Sequence, residues 1–322
     1  MNCAGKKPTV IFIVGPTASG KTVLSIKLAA HIRGEIISCD SMQVYRGMEI
    51  LSQAPAVPER RRVAHHLVGF LSPEKEWSAA LFRTKARRLI ASAVRRRRVP
   101  IVAGGSGLYV KALIDGLFPS PEADPAFRKR MNAAVLKYGS GKLHAELSGI
   151  DPDAAARIHP NDARRIIRAL EVYRSTGKTM TEMKARTMGL GDKYRIKIFG
   201  LTMPRAKLYA RINARVEKIL ADGAVWEVER LRDKDLSKTA KAILGLKEIT
   251  AFIDGEYDLD TAGELLGRNT RHFAKRQLSW FRADRRIRWF DVSRTPERVI
   301  VRKIIKEIKS PVKASTGDLV TL

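Results

Sequence analysis

Apolar residues along the chain gather into two kinds of run. Apolar blocks at 10–14 (Val-Ile-Phe-Ile-Val) and 100–103 read as short strands of the buried type, and Glu35-Ile36-Ile37-Ser38-Cys39 reads as another short strand between them. Leu81, Phe82, Leu89, Ile90 and Val94 instead recur at helical spacing between Ser78 and Arg98, and residues 23–32 form an amphipathic segment after the first block. Strand and helix therefore alternate, which predicts an α/β fold built on a right-handed, doubly wound parallel sheet flanked by helices. Residues 46–76, with Pro55, Pro58, Pro73 and little periodicity, read as a long surface loop carrying one short strand near 67–71. Between 119 and 195 the character changes to charged helical segments punctuated by Pro121, Pro125, Pro152 and Pro160.

The alternation then resumes. Residues 195–201 pattern as a strand, and Pro204 starts a helix with Leu208, Ile212, Val216 and Ile219 on one face. A helix over roughly 262–285, a strand at 286–292 and a last helix capped by Thr295-Pro296-Glu297 and ending near Lys309 complete the pattern. The domain expectation is an α/β core from 1–118 and 196–309, a helical insertion at 119–195, and a loose tail at 310–322.

The chemistry starts where the first strand meets the first helix. Gly15, Pro16, Thr17, Ala18, Ser19, Gly20, Lys21 and Thr22 fit the G-x-x-x-x-G-K-[ST] phosphate loop (P-loop), in which backbone N–H groups and a helix N-terminus cradle phosphate oxygens. Lys21 is expected to reach the outer phosphate and the Thr22 hydroxyl to hold Mg²⁺. Asp40, at the end of the second strand, and the glycines at 104, 105 and 107, after the third, fall at the same sheet edge, where doubly wound sheets bind ligands. A carboxylate there can accept a proton, hold Mg²⁺ through water, or cap the next turn. Ser41 and Gln43 shape that turn or touch a base edge.

Charge narrows the partner. Sixty-one Lys and Arg against 33 Asp and Glu leave a net +28, which fits a polyanion as the usual neighbour. Residues 264–288 hold eight of the cations against two acids, with Arg268, Arg271, Lys275, Arg282 and Arg286 along one face and Phe273, Ala274, Leu278, Trp280 and Phe281 on the apolar side. Phosphate-backbone contact is the reading for that face. Arg164, Arg165 and Arg168 add cations at helical spacing, and Arg95, Arg96, Arg97 and Arg98 either do the same or suit a helix C-terminus.

Other chemistries fit less well. Cys3 and Cys39 make no C-x-x-C pair, so neither a disulfide framework nor a thiolate zinc site is expected, and a thiol nucleophile at Cys39 lacks a neighbouring base. His65 and His66, adjacent on an extended segment, read as one packed and one exposed side chain rather than a metal site. No stretch is apolar enough to span a membrane, and a cytoplasmic monomer is expected. No N-K-x-D or strand-terminal Asp-Glu signature points to a GTPase or motor ATPase. A small-molecule kinase would share the loop but needs no arginine-faced helix. A nucleotide-switched RNA-binding protein would explain the charge but not the crevice.

Several motifs taken together resemble bacterial tRNA dimethylallyltransferases (tRNA isopentenyltransferases): GPTASGKT at 15–22, DSMQVYRGM at 40–48, HHL at 65–67, SAALFR at 78–83, GGSGLYVKAL at 104–113, HPNDARRIIRALEVYRSTGK at 159–178 and AKRQLSWFR at 274–282. The resemblance implies Mg²⁺-assisted transfer of a dimethylallyl group from dimethylallyl diphosphate to N6 of the adenosine 3′ of the anticodon, with the tRNA anticodon stem-loop as partner. It implies Asp40 as general base, residues 17–22 as the diphosphate site with Thr17 and Lys21 taking part in catalysis, and Asp40, Ser41, Met42, Gln43, Ser106, Arg128, Arg164, Arg165, Ile166, Ile167 and Arg168 as tRNA contacts. Arg271 and Lys275 are expected to add to them from the basic helix. Two stretches depart from the family pattern. Residues 49–55 read EILSQAP where D-I-G-T-A-K-P is usual, with Ala54 in place of lysine, and Ala242 and Leu246 replace a polar residue and a tyrosine around Gly245.

Overall fold

A computed structural model describes residues 7–118, 122–185 and 187–310. Cys3 and the expected tail beyond Ser310 lie outside the described residues. By Cα proximity the chain divides into one unit of residues 1–111 and 193–322 and a second of 112–192.

The first unit begins β1 (Thr9–Val14), α1 (Lys21–Ile32), β2 (Gly34–Ser38), α2 (Glu49–Ser52), α3 (Val57–Arg62), β3 (His65–His66), α4 (Ala79–Arg95), β4 (Val99–Gly104) and α5 (Gly107–Ile114), the last of which runs across the division. The second holds α6 (Pro125–Tyr138), α7 (Ser140–Ile150), α8 (Pro152–Arg157), α9 (Ala163–Thr176) and α10 (Met180–Ala185). The chain then completes the first unit with β5 (Arg195–Thr202), α11 (Arg205–Ala221), α12 (Ala224–Glu229), a short 3-10 turn at Ala240–Ala242, α13 (Leu246–Ile253), α14 (Leu259–Arg282), β6 (Ile287–Asp291) and α15 (Glu297–Lys309).

The strands form one sheet in the order β3-β2-β4-β1-β5-β6, and every pairing is parallel. All six strands therefore point the same way, and the loops that follow β1, β2 and β4 emerge at one edge. Ile11 and Ile13 of β1 pack with Leu24 and Leu28 of α1 and Ile300 and Ile304 of α15. By the period of two, Val10, Phe12 and Val14 point to the opposite face and are also fully buried, which is why the run is unbroken. α4 starts where the Ser78 hydroxyl accepts the Leu81 N–H at 3.2 Å, and it lies against β2 and β4. The second unit has a core of its own around Phe127, Leu147, Ile166, Ile167 and Leu170.

Several expectations need correction. Residues 46–76 are not a loop with a strand at 67–71: they hold two short helices, α2 and α3, and the strand is His65–His66, with only a bridge between Tyr45 and Leu71 farther on. The helices are too short to show periodicity and are fixed by tertiary contacts. Neither histidine is fully exposed: His66 Nε2 bonds Glu35 Oε2 at 2.9 Å, and His65 Nδ1 bonds the Val63 carbonyl at 2.7 Å. α14 starts earlier than expected, at an Asp258 cap that accepts the Thr261 N–H at 2.8 Å, and ends at Arg282, so Arg286 lies beyond it and pairs with Asp284 at 2.7 Å. Thr295 makes no side-chain cap for α15.

Candidate active site

The phosphate loop is held in shape by close approach and by side chains from distant helices. Gly15 (φ 145°) and Gly20 (φ 88°) take backbone conformations that other residues rarely adopt, and a Cβ on Gly15 would lie 2.6 Å from the Leu201 carbonyl oxygen. The Thr17 N–H donates to Gln277 Oε1 at 2.8 Å, and its hydroxyl accepts from Arg215 Nη1 at 2.9 Å. Gln277 Nε2 donates in turn to the Gly105 carbonyl at 3.1 Å, so one buried amide from α14 ties the loop after β1 to the loop after β4.

Lys21 Nζ is folded back onto its own loop, donating to the Pro16 carbonyl at 2.6 Å. Burial first, then repulsion from Arg215, lower its ammonium from 10.5 to about 7 against the opposing pull of Asp40. Burial also lowers Arg215, again opposed by Asp40. The Ser19 hydroxyl is buried without a hydrogen-bond partner among the described residues. Two crowded cations and an orphaned donor around a ring of backbone N–H groups suit an arriving polyanion.

Asp40 follows β2. Its Oδ1 accepts the Met42 N–H at 2.8 Å and, more weakly, that of Gln43 at 3.4 Å, so this carboxylate does shape its turn. Both of those bonds fall on Oδ1, and Asp40 also lines the crevice with Lys21, Thr22 and Arg215. Gln43 is engaged at both ends, accepting from the Ser38 hydroxyl at 2.8 Å and donating to the Gln53 carbonyl at 3.1 Å. Ser41 and Met42 join the lining, whereas Ser106 does not. The Ser106 N–H donates to the Cys39 carbonyl at 3.3 Å. Cys39 is fully buried, and burial, with the Asp40 charge second, pushes its thiol well above the usual range, which leaves no thiolate for catalysis.

These groups face one crevice of about 670 Å³ that has two characters. Thr17, Gly20, Lys21, Thr22, Asp40 and Arg215 make a polar end, while Leu51, Ile212, Val216, Ile243, Leu266 and Phe273 supply apolar wall. Buried Glu227 of α12 accepts the N–H groups of Ile50 and Leu51 at 2.8 and 2.9 Å, and so holds the α2 turn that brings Leu51, Ser52 and Gln53 to the wall. Thr22 Oγ1 and the Asp40 carboxylate are hard oxygen donors on this lining, a set that fits a divalent cation. Among the described residues no cluster of three His, Cys, Asp or Glu could hold a metal by itself.

On α14, Arg268, Lys275, Arg276 and Arg282 are exposed, and Arg276 reaches the crevice lining. Arg271 is half-buried and donates to Asn213 Oδ1 at 2.7 Å. The apolar side differs from expectation: Phe273 lines the crevice and Trp280 is 39% exposed, whereas the buried stripe is Leu266, Thr270, Ala274, Gln277 and Phe281.

The second unit carries the other candidates. Arg128 donates from Nε and Nη2 to the two oxygens of Glu171 at 2.9 and 2.8 Å, and Arg168 pairs with the same carboxylate. Burial pushes the Glu171 carboxyl up, but the bonds from Arg128 and Arg168 outweigh it and bring it down to about 2. These two arginines are thus structural partners of one buried acid. Ile166 and Ile167 are 0% and 4% exposed in the unit's core, so their side chains are corrected from RNA contacts to core. Arg164 is exposed, and Arg165 pairs with Asp162 at 3.3 Å while staying largely in solvent.

Arg215, Gln277, Thr270 and Glu227 are the site residues that sequence reading missed. For three of them a signal was present: Gln277, Thr270 and Glu227 are polar residues at buried positions of their helices, whereas Arg215 is half-buried at the margin of the stripe formed by Ile212, Val216 and Ile219.

A family model described as IPP transferase matches residues 43–284, and one described as isopentenyl transferase matches residues 8–66. The tRNA dimethylallyltransferase of Carboxydothermus hydrogenoformans is 48% identical over 92% of this chain and 96% of its own, and that of Halothermothrix orenii is 45% identical over 94% and 92%. Among solved structures, the tRNA isopentenylpyrophosphate transferase of Bacillus halodurans matches with a TM-score of 0.69 at 40% identity, covering 94% of this chain and 96% of that one. A eukaryotic dimethylallyltransferase caught acting on tRNA matches with a TM-score of 0.73 at 26% identity, covering 96% and 81%. With its phosphate loop, strand-end carboxylate and full-length likeness to these enzymes, the chain belongs to the IPP transferase family.

Proposed function

We propose that the crevice transfers a dimethylallyl group from dimethylallyl diphosphate to N6 of the adenosine 3′ of the anticodon in tRNA. The observation that carries this reading is the pairing, in one cavity, of a phosphate seat with an apolar wall and a carboxylate. A small-molecule kinase needs neither the net charge of +28 nor the cation-rich face of α14.

The diphosphate sits on the backbone N–H groups of residues 15–22, with Lys21 released from the Pro16 carbonyl to meet it and Arg215 held in place by Thr17. The five-carbon tail lies against Leu51, Val216, Leu266 and Phe273. The adenine, pulled out of its stack, presents N6 to C1 of the donor. The N6–C1 bond forms as the C1–O bond breaks, and the electron pair leaves with the diphosphate. Asp40 takes the proton that N6 sheds. Lys21 and Arg215 stabilise the charge gathering on the leaving oxygens. Thr22, with Asp40 beside it, would hold Mg²⁺, which would supply further positive charge to the leaving diphosphate. Arg164 and the exposed cations of α14 contact the tRNA backbone, largely without regard to sequence.

Mass analysis of nucleosides from unmodified tRNA incubated with the protein and dimethylallyl diphosphate tests this. The expected product is adenosine heavier by one dimethylallyl group, with diphosphate released and no requirement for ATP. Phosphoryl transfer from ATP without a modified base would overturn it.

A further inference from the structure

The crevice uses the carboxyl edge of the sheet, and the opposite edge carries a feature the reaction does not need. Arg33 directly precedes β2, Arg61 and Arg62 end α3 just before β3, and Arg95, Arg97 and Arg98 lead into β4. β3, β2 and β4 are neighbours and parallel, with Ile36 opposite His65 and Gly34 opposite Val99, so all three segments enter from the same edge. The Val99 N–H even reaches the Arg33 carbonyl at 3.4 Å. With strands about 4.8 Å apart, these cations crowd a small area. The acid buried among them, Glu35, is already taken by His66 at 2.9 Å and Arg96 at 2.7 Å, with Arg98 at 4.0 Å. The side chains of Arg33, Arg61, Arg62, Arg95 and Arg97 are exposed and have no ion pair or hydrogen bond among the described residues.

A helix C-terminus accounts for one or two of these cations, since a positive charge there is worth about 0.3–1 kcal/mol. It does not account for three separate chain segments delivering unpaired arginines to one edge, where self-repulsion opposes folding. Arg33 and Asp40 are separated by one strand's length, about 20 Å, so the arginines of this edge do not touch the reacting atoms.

We propose that the amino edge of the β3-β2-β4 half of the sheet is a second RNA site, which grips phosphate backbone without regard to sequence and independently of the crevice. Guanidinium groups suit phosphate through their paired donors, and a spread of five unpaired ones fits a polyphosphate backbone better than a protein face. Such a site holds RNA near the enzyme and feeds the crevice by local transfer, raising capture at low RNA concentration and low salt. It rests on RNA being the substrate class.

The test uses the full chain and a short RNA duplex with no unpaired adenosine, followed by fluorescence anisotropy across a salt series. A variant carrying Arg61→Glu, Arg62→Glu, Arg95→Glu and Arg97→Glu should bind the duplex at least tenfold more weakly than the parent. Its salt slope should be shallower by about 3.6, a little under one for each of the four phosphates no longer neutralised. Its transfer rate at saturating tRNA should be unchanged while its KM for tRNA rises. The same four positions as Gln, which remove charge without reversing it, should give the same direction and guard against misfolding of the Glu variant. Duplex affinity and salt slope equal to the parent's in both variants would overturn the proposal. So would parent protein that binds phosphatidylserine vesicles but not the duplex, or duplex binding abolished by saturating the crevice with an anticodon stem-loop. Failure here would leave the nucleoside analysis positive, so the two readings fail separately.

Discussion

Lys21 makes a quantitative prediction about proton traffic. In the free protein its ammonium is lowered to about 7, by burial first and the Arg215 charge second. At pH 7 the site is therefore about half protonated, and at pH 8 about one-tenth. A bound diphosphate places several negative charges beside it and restores the proton, so donor binding should take up about half a proton at pH 7 and about nine-tenths at pH 8. Isothermal titration calorimetry in buffers of different ionisation enthalpy reads this number directly. The donor's terminal phosphate also titrates near neutrality, so the informative quantity is the difference between the parent and Lys21→Arg, whose guanidinium stays charged throughout. The same depression has a stability consequence of fixed sign. Between pH 7 and 10.5 the unfolded chain holds a proton on Lys21 that the folded protein has lost. The penalty of burying the charge is then full below pH 7 and relieved as pH rises, by about 1.4 kcal/mol per pH unit. Lys21→Met should accordingly stabilise the ligand-free protein while destroying donor affinity. Identical buffer dependence in the parent and Lys21→Arg would refute the reasoning.

Three further outcomes are expected. Asp40→Asn keeps an Oδ1 acceptor for the Met42 N–H, so the turn survives, yet single-turnover transfer should fall by about 10² to 10⁴ with donor and tRNA affinities within a few-fold; near-full rate would reduce Asp40 to its turn-shaping role. Gln277→Leu leaves the Thr17 N–H and the Gly105 carbonyl without their partner, at a cost of about 1–3 kcal/mol in stability by denaturant titration and a weaker donor KM. Because Glu171 is held down to about 2 by Arg128 and Arg168, its pairing stabilises the helical unit fully above pH 4.5 and is lost as pH falls toward 2; Glu171→Gln should flatten that acid limb in a circular dichroism titration.

The chain's own text carried the core of the fold because β1, β2 and β4 are largely buried on both faces and centre on short apolar runs, and because α4 and α11 keep one apolar stripe each. The phosphate loop was legible for a different reason: its spacing is set by ligand geometry rather than by packing. What stayed hidden lacks a local cause. α2 and α3 are held by tertiary contacts, and α12 and α13 are short helices in a stretch whose apolar residues show no long period. Arg128 and Arg168 read as free cations because no pattern announces that Glu171, buried among isoleucines, will claim both. Arg215 was passed over as one more cation in a chain that has 61. Its bond to the Thr17 hydroxyl, not its charge, is the distinguishing property, and that contact became visible only once α11 faced the phosphate loop.

The hold of Glu227 on the α2 turn also constrains how this crevice can change. Leu51 reaches its place on the wall where Gly245 has no side chain: a Cβ there would come within 2.7 Å of Leu51 Cδ2. Residues 51 and 245 thus form a lock and its keyhole, set on chain segments almost two hundred residues apart and aligned by the carboxylate from α12. A designer seeking a roomier pocket for longer prenyl donors would gain little from trimming Leu51 alone, since the turn would still be pinned. Replacing Gly245 alone would push the turn off its anchor. Substitutions at the two positions should be strongly non-additive, and a library that varies them jointly, with Glu227 left intact, is the economical route to altered donor range.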